Sequence, residues 1–295
     1  MIVGIWGPDK SCKGTLAASF PKPMVDMELD IGGFQRTCRN VPNIPIRDWY
    51  ESGDIRVQQY PLPIQGVTMD PKTGAVKFTA SKILMGIKEL FYKFVTDYLQ
   101  LLNDPDVASI QIDTGTLFYT LAIDTYTQEL QERQMPLLMS GLGKDGKPLR
   151  TQLQQQEYRE VYDRMRGIVY QAKVHNKFLI MTHHETDEYG LVIRDGQSVK
   201  DTTGNKVRHG WKELGDSCDL MIRTYIGYEP LDKEGNPDMG NPLTAIPKGK
   251  KRDAYLAVPY GVVCDESLLL EIRGMEFREP TWDAIKETID GIRGE

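Results

Sequence analysis

Histidine and cysteine are scarce in this sequence, with four of each among 295 residues. The cysteines stand far apart and form no CxxC pair, which argues against a zinc site and favours a reducing compartment. No apolar run approaches the length that spans a bilayer, so we expect neither a membrane span nor a membrane partner. The strand-like "IVGIWG" directly after Met1 leaves no room for a secretory leader, and we therefore expect a cytoplasmic protein.

An excess of positive charge is also missing, because the formal net charge is −6. Any nucleic acid would have to meet a local basic patch, since the average surface repels phosphate. The 40% hydrophobic and 26% charged residues are typical of an ordinary globular chain.

Short apolar runs alternate with helix-like stretches over most of the chain, which predicts an α/β fold with a mostly parallel central sheet. The predicted strands are Ile2 to Trp6, Pro23 to Met27, Ile55 to Tyr60, Ala108 to Ile112, Phe178 to Thr182, Leu220 to Gly227 and Tyr255 to Pro259. We expect one main domain over residues 1–265, followed by a C-terminal extension, 266–295, that ends in a helix capped by a threonine.

Several segments interrupt this alternation. Turn residues predict a hairpin insertion near residues 55–80, and apolar spacing predicts a helix over 81–102. Two polar, glycine-containing stretches, 133–156 and 185–212, are predicted as long loops, which in a compact domain are usually functional or mobile.

The stretch "GIWGPDKSCKGTLAASF" is similar to a phosphate-binding loop, G-x-x-x-x-G-K-[ST]. Gly7 and Lys13 match the first glycine and the lysine. Cys12 replaces the second glycine, Gly14 occupies the position of the magnesium-binding hydroxyl, and Thr15 follows one residue late. The candidate phosphate-binding residues are Gly7, Pro8, Asp9, Lys10, Ser11, Cys12, Lys13, Gly14, Thr15 and Leu16. A plain turn between a strand and a helix is the alternative.

With these residues the chain resembles the RecA-like P-loop ATPases, in particular phage-encoded nucleotide-binding proteins linked to single-strand annealing and recombination. "FPKPMVDMELDIGG" is similar to the strand that ends in a water-polarising glutamate, and "VASIQIDTGTLF" resembles the second acidic strand. "NKFLIMTHHETDEYG" is similar to the strand that ends in a γ-phosphate sensor.

The resemblance implies a three-layer α/β RecA-like domain over residues 1–265 that binds ATP and Mg²⁺. It assigns Glu28 to the attacking water, Asp113 and Thr15 to the metal, and His184 or His183 to the γ-phosphate. From the residues alone, Asp113 would also suit a helix cap, Asp30 rivals Glu28, and either histidine would suit a structural role.

Two basic stretches are candidates for contact with single-stranded DNA, because basic side chains follow the backbone and an exposed ring stacks on a base. They contribute Lys206, Arg208, Trp211 and Lys212 from "KVRHGWK", and Lys250, Lys251 and Arg252 from "PKGKKRD". Solvated basic loops are the alternative. Lys251 or Arg252 is also a candidate to reach a neighbouring subunit's γ-phosphate.

We therefore expect an ATPase that acts on single-stranded DNA in phage-type recombination, annealing or replication, in the host cytoplasm if the chain is phage-encoded. A homo-oligomer is expected from the resemblance, and a single-strand binding protein is a further candidate partner. Because of Cys12 and Gly14, a non-hydrolysing nucleotide-dependent interaction module is the alternative; a P-loop kinase or a packaging motor is a third hypothesis.

Overall fold

The computed structural model describes residues 1–38, 44–65, 67–70, 72–78, 83–139, 150–194, 197–235, 246–247, 249–267, 270–277 and 281–294. Its strands are β1 (Ile2–Gly7), β2 (Met24–Glu28), β3 (Ile55–Gln59), β4 (Val67–Met69), β5 (Val76–Phe78), β6 (Ser109–Asp113), β7 (Phe178–Arg194), β8 (Gln197–Arg208), β9 (Leu220–Pro230), β10 (Tyr255–Ser267) and β11 (Glu276–Phe277). Its helices are α1 (Lys13–Ala18), α2 (Gly33–Thr37), α3 (Ile46–Glu51), α4 (Ile87–Asn103), α5 (Gly115–Met139), α6 (Tyr158–Val174), α7 (Leu214–Ser217) and α8 (Trp282–Arg293). Short 3₁₀ turns lie at Gln155–Glu157, Arg252–Ala254 and Leu270–Ile272.

The central sheet has the strand order β11-β10-β9-β1-β7-β6-β2-β3, and β8 pairs with β7 outside this path. The strands from β9 to β3 pair in parallel, whereas β10, β11 and β8 add antiparallel pairs. Every residue of β1 and β2 is buried, as expected for parallel strands that are covered on both faces.

Helices cover both faces of this sheet. On one face, α4, α5 and α6 pack in a core cluster that contains Phe94, Phe118 and Met165. On the other face, Leu16 of α1 and Trp282 of α8 belong to a second cluster. The predicted fold class, a three-layer α/β fold with a mostly parallel central sheet, is confirmed.

Local signals explain two of the helices. The buried side chains of α4 include Ile87, Phe91, Phe94, Tyr98 and Leu101, at steps of four and three that place them on one face. The Thr281 side chain caps α8 by accepting a hydrogen bond from the backbone of Ala284, and Trp282 stacks on Phe20 at 4.4 Å. The C-terminal helix is thus part of the layer that contains α1.

Two of the predicted insertions differ from expectation. Within 55–80, β3 is the edge strand of the central sheet and only β4 and β5 form a separate hairpin. The stretch 185–212 is not a long loop, because β7 and β8 pair over most of it as an antiparallel hairpin. Of the stretch 133–156, residues up to Met139 continue α5, and 140–149 lie outside the described residues.

The parallel strands all end at one edge of the sheet, where ligands of open α/β folds bind. The loop after β1, the acidic ends of β2 and β6, and the histidines of β7 therefore meet at this edge. The β7–β8 and β9–β10 hairpins extend beyond the same edge, because β7 and β9 run parallel to β1.

Candidate functional site

The loop between β1 and α1 has the backbone of a phosphate-binding loop in spite of its sequence. Cys12 lies in the left-handed region, at φ 63° and ψ 28°, and Lys10 is also left-handed, at φ 65°. Glycine is the residue that adopts this conformation at no steric cost, so the predicted motif and the observed backbone agree at residue 12 even though the side chain differs. Gly7 lies so close to Thr224 that a Cβ there would collide with its carbonyl oxygen.

Lys13 begins α1 and turns back into this loop. Its ammonium donates hydrogen bonds to the carbonyl oxygens of Gly7 at 2.9 Å and Pro8 at 2.6 Å. Burial lowers the pKa of Lys13, while the carboxylates of Asp9 and Asp113 act in the opposite direction. The cation is therefore held where the loop curves, ready to exchange carbonyl oxygens for those of a phosphate.

The loop, α1 and the neighbouring strand ends enclose a cavity of about 350 Å³. The predicted residues that line it are Asp9, Lys10, Ser11, Cys12, Lys13, Gly14, Thr15, Asp113 and His184. Those that sequence reasoning did not assign to it are Gly33, Arg36, Thr37 and Thr114, together with Asp30, which was considered only as a rival of Glu28. Arg36 pairs with Asp30 at 2.6 Å at the mouth of this cavity.

Two of the predicted phosphate-binding side chains have other roles. Leu16 is fully buried in the core cluster beneath α1, so the prediction that its side chain contributes to the site is wrong. The Ser11 hydroxyl is buried and donates to the carbonyl oxygen of Pro8 at 2.7 Å, with the Thr224 hydroxyl 2.5 Å away. Ser11 therefore fixes the loop, and its backbone rather than its hydroxyl faces the cavity.

Asp113, at the end of β6, is the carboxylate closest to the role predicted for it. It lines the cavity, and the Thr182 hydroxyl donates a hydrogen bond to its Oδ1. Burial raises its pKa, and the nearby Asp30 and Glu28 act in the same direction, whereas Lys13 opposes them. A cation beside Asp113 would relieve this repulsion.

Glu28 lies beside Asp113 but opens into a different space. It borders an adjacent cavity of about 600 Å³, together with Phe34, Arg47, Tyr50 and Gln59. Its two carboxylate oxygens accept hydrogen bonds, one from the backbone N–H of Phe34 and one from the Gln59 amide, each at 2.8 Å. The expected water-orienting glutamate is thus adjacent to the loop cavity rather than one of its lining residues, and Asp30 is the acid from this segment that does line it.

Beneath these two acids lies Asp26, which is completely buried. Neither of its carboxylate oxygens has a hydrogen-bond partner among the residues that the structure describes. Burial raises the pKa of Asp26 well above its ordinary value, and Asp113 and Glu28 raise it further. Asp26 is therefore held in its neutral form.

The structure separates the two candidate sensor histidines. His184 lies in register with Gly7, lines the loop cavity, and has its Nδ1 3.2 Å from the Asp9 carboxylate. His183 is completely buried, with Nδ1 3.2 Å from the carbonyl oxygen of His209, and burial lowers its pKa well below the ordinary value. Adjacent residues of a strand face opposite sides of a sheet, so the prediction that His183 senses phosphate is wrong.

The first group of basic residues lies along the β7–β8 hairpin. Lys206 pairs with Asp187 at 2.6 Å, and Arg208 donates to the carbonyl oxygen of Lys212 at 3.2 Å. Trp211 is only 1% exposed and belongs to the core, so the prediction that it stacks on a base is wrong. A groove of about 700 Å³ runs along the hairpin, and its exposed aromatic side chain is Tyr189, which is 63% exposed.

The second basic group surrounds the 3₁₀ turn at the start of β10. Lys250, Lys251 and Arg252 are all exposed there. Lys248, in the same predicted stretch, lies outside the described residues.

Two further findings bear on the class of site. Within the described ranges, no helix is both long and apolar enough to cross a membrane. Among the same residues, no three histidine, cysteine, aspartate or glutamate side chains are grouped so that they alone would hold a metal ion.

Comparison with known proteins adds a likeness in structure only. No protein-family model matches the chain, and no curated protein matches it. Among solved structures it is similar to a KaiC-like protein from the hyperthermophilic archaeon Pyrococcus horikoshii OT3, with a TM-score of 0.41 and 10% sequence identity over 93% of this chain and 82% of that chain.

Proposed function

We propose that this chain binds ATP with Mg²⁺ at the β1–α1 loop and uses the bound nucleotide to act on single-stranded DNA. The observation that carries the nucleotide part is that the Lys13 ammonium and the Asp113 carboxylate line one cavity at the carboxyl edge of the parallel strands. Backbone N–H groups of a strand–loop–helix turn bind phosphate, a lysine neutralises it, and an acid beside it positions the metal.

The residues at this site fit a nucleotide-bound magnesium ion. Mg²⁺ prefers oxygen ligands and is usually held by one or two carboxylates, water and substrate phosphates, so it needs no cage made of protein alone. Asp113, Asp30 and the hydroxyls of Thr15 and Thr37 provide oxygen atoms around the cavity. When bound, the metal would neutralise charge on the phosphates.

The residues of this chain would divide the remaining work. Lys13 would neutralise the phosphates, and His184 would contact the terminal phosphate from β7. Asp113 would orient the metal's water ligands by accepting their hydrogen bonds, with its carboxylate held by Thr182. Arg36 and Asp30 would enclose the cavity from the side of α2.

A titration of ATP and ADP into the protein by calorimetry, with and without Mg²⁺, tests the nucleotide proposal. Lys13→Ala is expected to weaken ATP binding by about tenfold or more, because a charge-assisted contact to phosphate is worth roughly 1.5–3 kcal/mol. Lys93→Ala is a matched control, since Lys93 is exposed and pairs with Asp97 within α4. A wild-type protein that binds no nucleotide would refute the proposal.

One observation favours a second candidate, a nucleotide-dependent interaction module that does not hydrolyse ATP. A general base must reach the attacking water, yet both oxygens of Glu28 already accept hydrogen bonds from Phe34 and Gln59. Phosphate release measured with and without single-stranded DNA separates the two candidates. Turnover that disappears in Glu28→Gln supports the ATPase, whereas tight ATP binding without turnover supports the module.

Three features support the DNA part of the proposal. The β7–β8 hairpin extends beyond the edge that carries the loop, it presents Lys206 and Lys212 at the surface, and Tyr189 lines its groove. Acidic side chains such as Asp187 and Asp216 line the same groove, so stacking on Tyr189 would contribute to binding beside charge attraction.

A homo-oligomer would bring the exposed Lys251 and Arg252 towards a neighbouring subunit's γ-phosphate. Replacing both residues with alanine should then lower DNA-stimulated hydrolysis in the assembly without weakening ATP binding to one chain. Unchanged stimulated hydrolysis in an intact assembly would contradict this role. Sedimentation with ATP and single-stranded DNA measures the oligomer, and adding a single-strand binding protein tests that further partner.

A further inference from the structure

The phosphate-binding loop lacks a hydroxyl at the position where the motif supplies one to magnesium, because Gly14 follows Lys13. Thr15, one residue later, is 3% exposed and forms a hydrogen bond with Cys12. One step along a helix also rotates a side chain by about 100°, so Thr15 does not take the place of residue 14.

A different hydroxyl lies where the side chain of residue 14 would be. A Cβ built on Gly14 would collide with Oγ1 of Thr37, and the next nearest atoms are the Cβ and Cγ2 of the same threonine, each 3.6 Å away. Thr37 is the last residue of α2, and it lines the loop cavity together with Gly14 and Lys13. A residue 23 positions later in the sequence therefore fills the space that the glycine leaves.

The Thr37 hydroxyl also has the orientation that a metal ligand requires. It donates its hydrogen to the carbonyl oxygen of Gly33 at 3.2 Å, so the lone pairs of Oγ1 remain available to accept a cation. Gly33 in turn packs against Asp113, because a Cβ on Gly33 would lie 2.7 Å from Oδ2 of that carboxylate. The same residue thus fixes the hydroxyl and lies against the acid predicted to act on the metal.

We propose that Thr37 supplies to the nucleotide-bound Mg²⁺ the hydroxyl ligand that residue 14 supplies in the standard motif. This inference rests on the proposed nucleotide binding. It explains the glycine as well, since any side chain at residue 14 would exclude Thr37. The loop and α2 therefore share one position in space, which either residue can occupy but not both.

The inference predicts how ATP affinity depends on magnesium. Thr37→Val keeps the shape of the side chain and removes the hydroxyl, so it should weaken ATP binding about tenfold in the presence of Mg²⁺, as loss of groups around a metal site does. In EDTA, Thr37→Val and the wild type should bind ATP equally. Thr37→Ser keeps the hydroxyl and should retain the magnesium-dependent gain. Circular dichroism and the melting temperature check that each variant is folded.

An exchange of the two positions gives a second test that does not depend on the fold of Thr37→Val. Gly14→Ser alone should weaken binding because the new side chain meets Thr37, and Thr37→Ala alone should weaken it because the ligand is lost. The combined variant, Gly14→Ser with Thr37→Ala, should recover most of the magnesium-dependent affinity. Gly14→Ala with Thr37→Ala is the matched control, which relieves the collision but adds no hydroxyl.

The outcomes separate this inference from the proposed function. If the wild type binds ATP more tightly with Mg²⁺ and Thr37→Val does so equally, nucleotide binding stands and the role of Thr37 is wrong. If the wild type binds no nucleotide in either condition, the proposed function itself fails. Recovery in the control pair without a hydroxyl would also overturn the role of Thr37, because it would show that only the collision matters.

Discussion

Glu28 lies directly opposite Asp113, in register on the neighbouring parallel strands β2 and β6. The backbone fixes this relationship, because the N–H groups of Leu29 and Asp30 both donate to the carbonyl oxygen of Asp113, at 2.6 and 3.2 Å. Two acidic strand ends therefore lie side by side, with the buried Asp26 beneath them. Lys13 is the cation of the loop that acts on this group, through Asp113.

The first prediction concerns Asp26→Asn, which should stabilise the protein at neutral and higher pH. The pKa of Asp26 is raised in the folded state, so the folded protein holds a proton that the unfolded chain releases. The stability from this proton is complete below the ordinary aspartate value of 3.8 and is lost as pH rises through the raised pKa. At pH 8 the asparagine variant should gain about 1 kcal/mol or more in free energy of unfolding, the value of a one-unit shift.

Denaturant unfolding between pH 5 and pH 9 measures this effect. The wild type should lose stability over part of that range, while Asp26→Asn should show a flatter profile. Asp106→Asn is the control, because Asp106 is exposed at the turn before β6. Parallel pH profiles for the wild type and Asp26→Asn would contradict the prediction.

His184→Ala should weaken ATP binding more than ADP binding and leave the free energy of unfolding nearly unchanged. His184 lines the loop cavity beside Asp9, so we expect it to contact the terminal phosphate, which ADP lacks. Loss of one such contact should cost about 1 kcal/mol, or roughly fivefold in ATP affinity. Calorimetric titration with a non-hydrolysable ATP analogue and with ADP gives the two affinities.

His183→Phe is the matched comparison for this histidine. His183 is buried and its pKa is lowered, so it contributes stability above its ordinary value of 6.5 that is lost as pH falls below it. The phenylalanine variant should therefore be less sensitive to acid between pH 6.5 and pH 5, and its ratio of ATP to ADP affinity should match the wild type. A change of that ratio in His183→Phe would assign sensing to the wrong histidine here.

Tyr189→Ala should weaken binding to single-stranded DNA without unfolding the protein. Tyr189 is exposed in the hairpin groove, and stacking of one base on an aromatic ring is worth about 1–3 kcal/mol. Fluorescence anisotropy of a labelled oligothymidine measures the affinity, and Tyr189→Phe, which keeps the ring, should bind as the wild type does.

Trp211→Ala should instead lower stability by about 3–5 kcal/mol, as loss of a buried large aromatic side chain does. Its indole is buried in the core, so any loss of DNA binding should accompany unfolding. Equal DNA affinities for Tyr189→Ala and the wild type would exclude stacking at this residue.

Cys12→Gly should raise the free energy of unfolding by about 1 kcal/mol, because a residue with a Cβ is strained in the left-handed conformation. Nucleotide affinity should be preserved, since the loop keeps its backbone. Cys38→Gly is the matched control: Cys38 has φ −61°, a conformation that favours no glycine, and the same substitution there should lower stability. A lower melting temperature for Cys12→Gly would show that its side chain stabilises the loop by more than its strain costs.

The sequence by itself determined the features that depend on local periodicity. The apolar runs of β1 and β2, the one-sided spacing of α4 and the Thr281 cap of α8 are each encoded within a few neighbouring residues. The motif around Lys13 and the acid at the end of β6 were also visible, because their chemistry follows short strands in a recognisable order.

Only the tertiary structure decided the features that depend on contacts between distant segments. The β7–β8 hairpin extends from the sheet and is largely polar, so it lacks the apolar alternation that marks a half-buried strand. A tryptophan among basic residues gives no local sign that it is buried, and two adjacent histidines do not show which side of the sheet each faces. Gly14 breaks the motif in the sequence, yet Thr37 lies beside it because the fold packs α2 against α1, and no pattern within either segment records that contact.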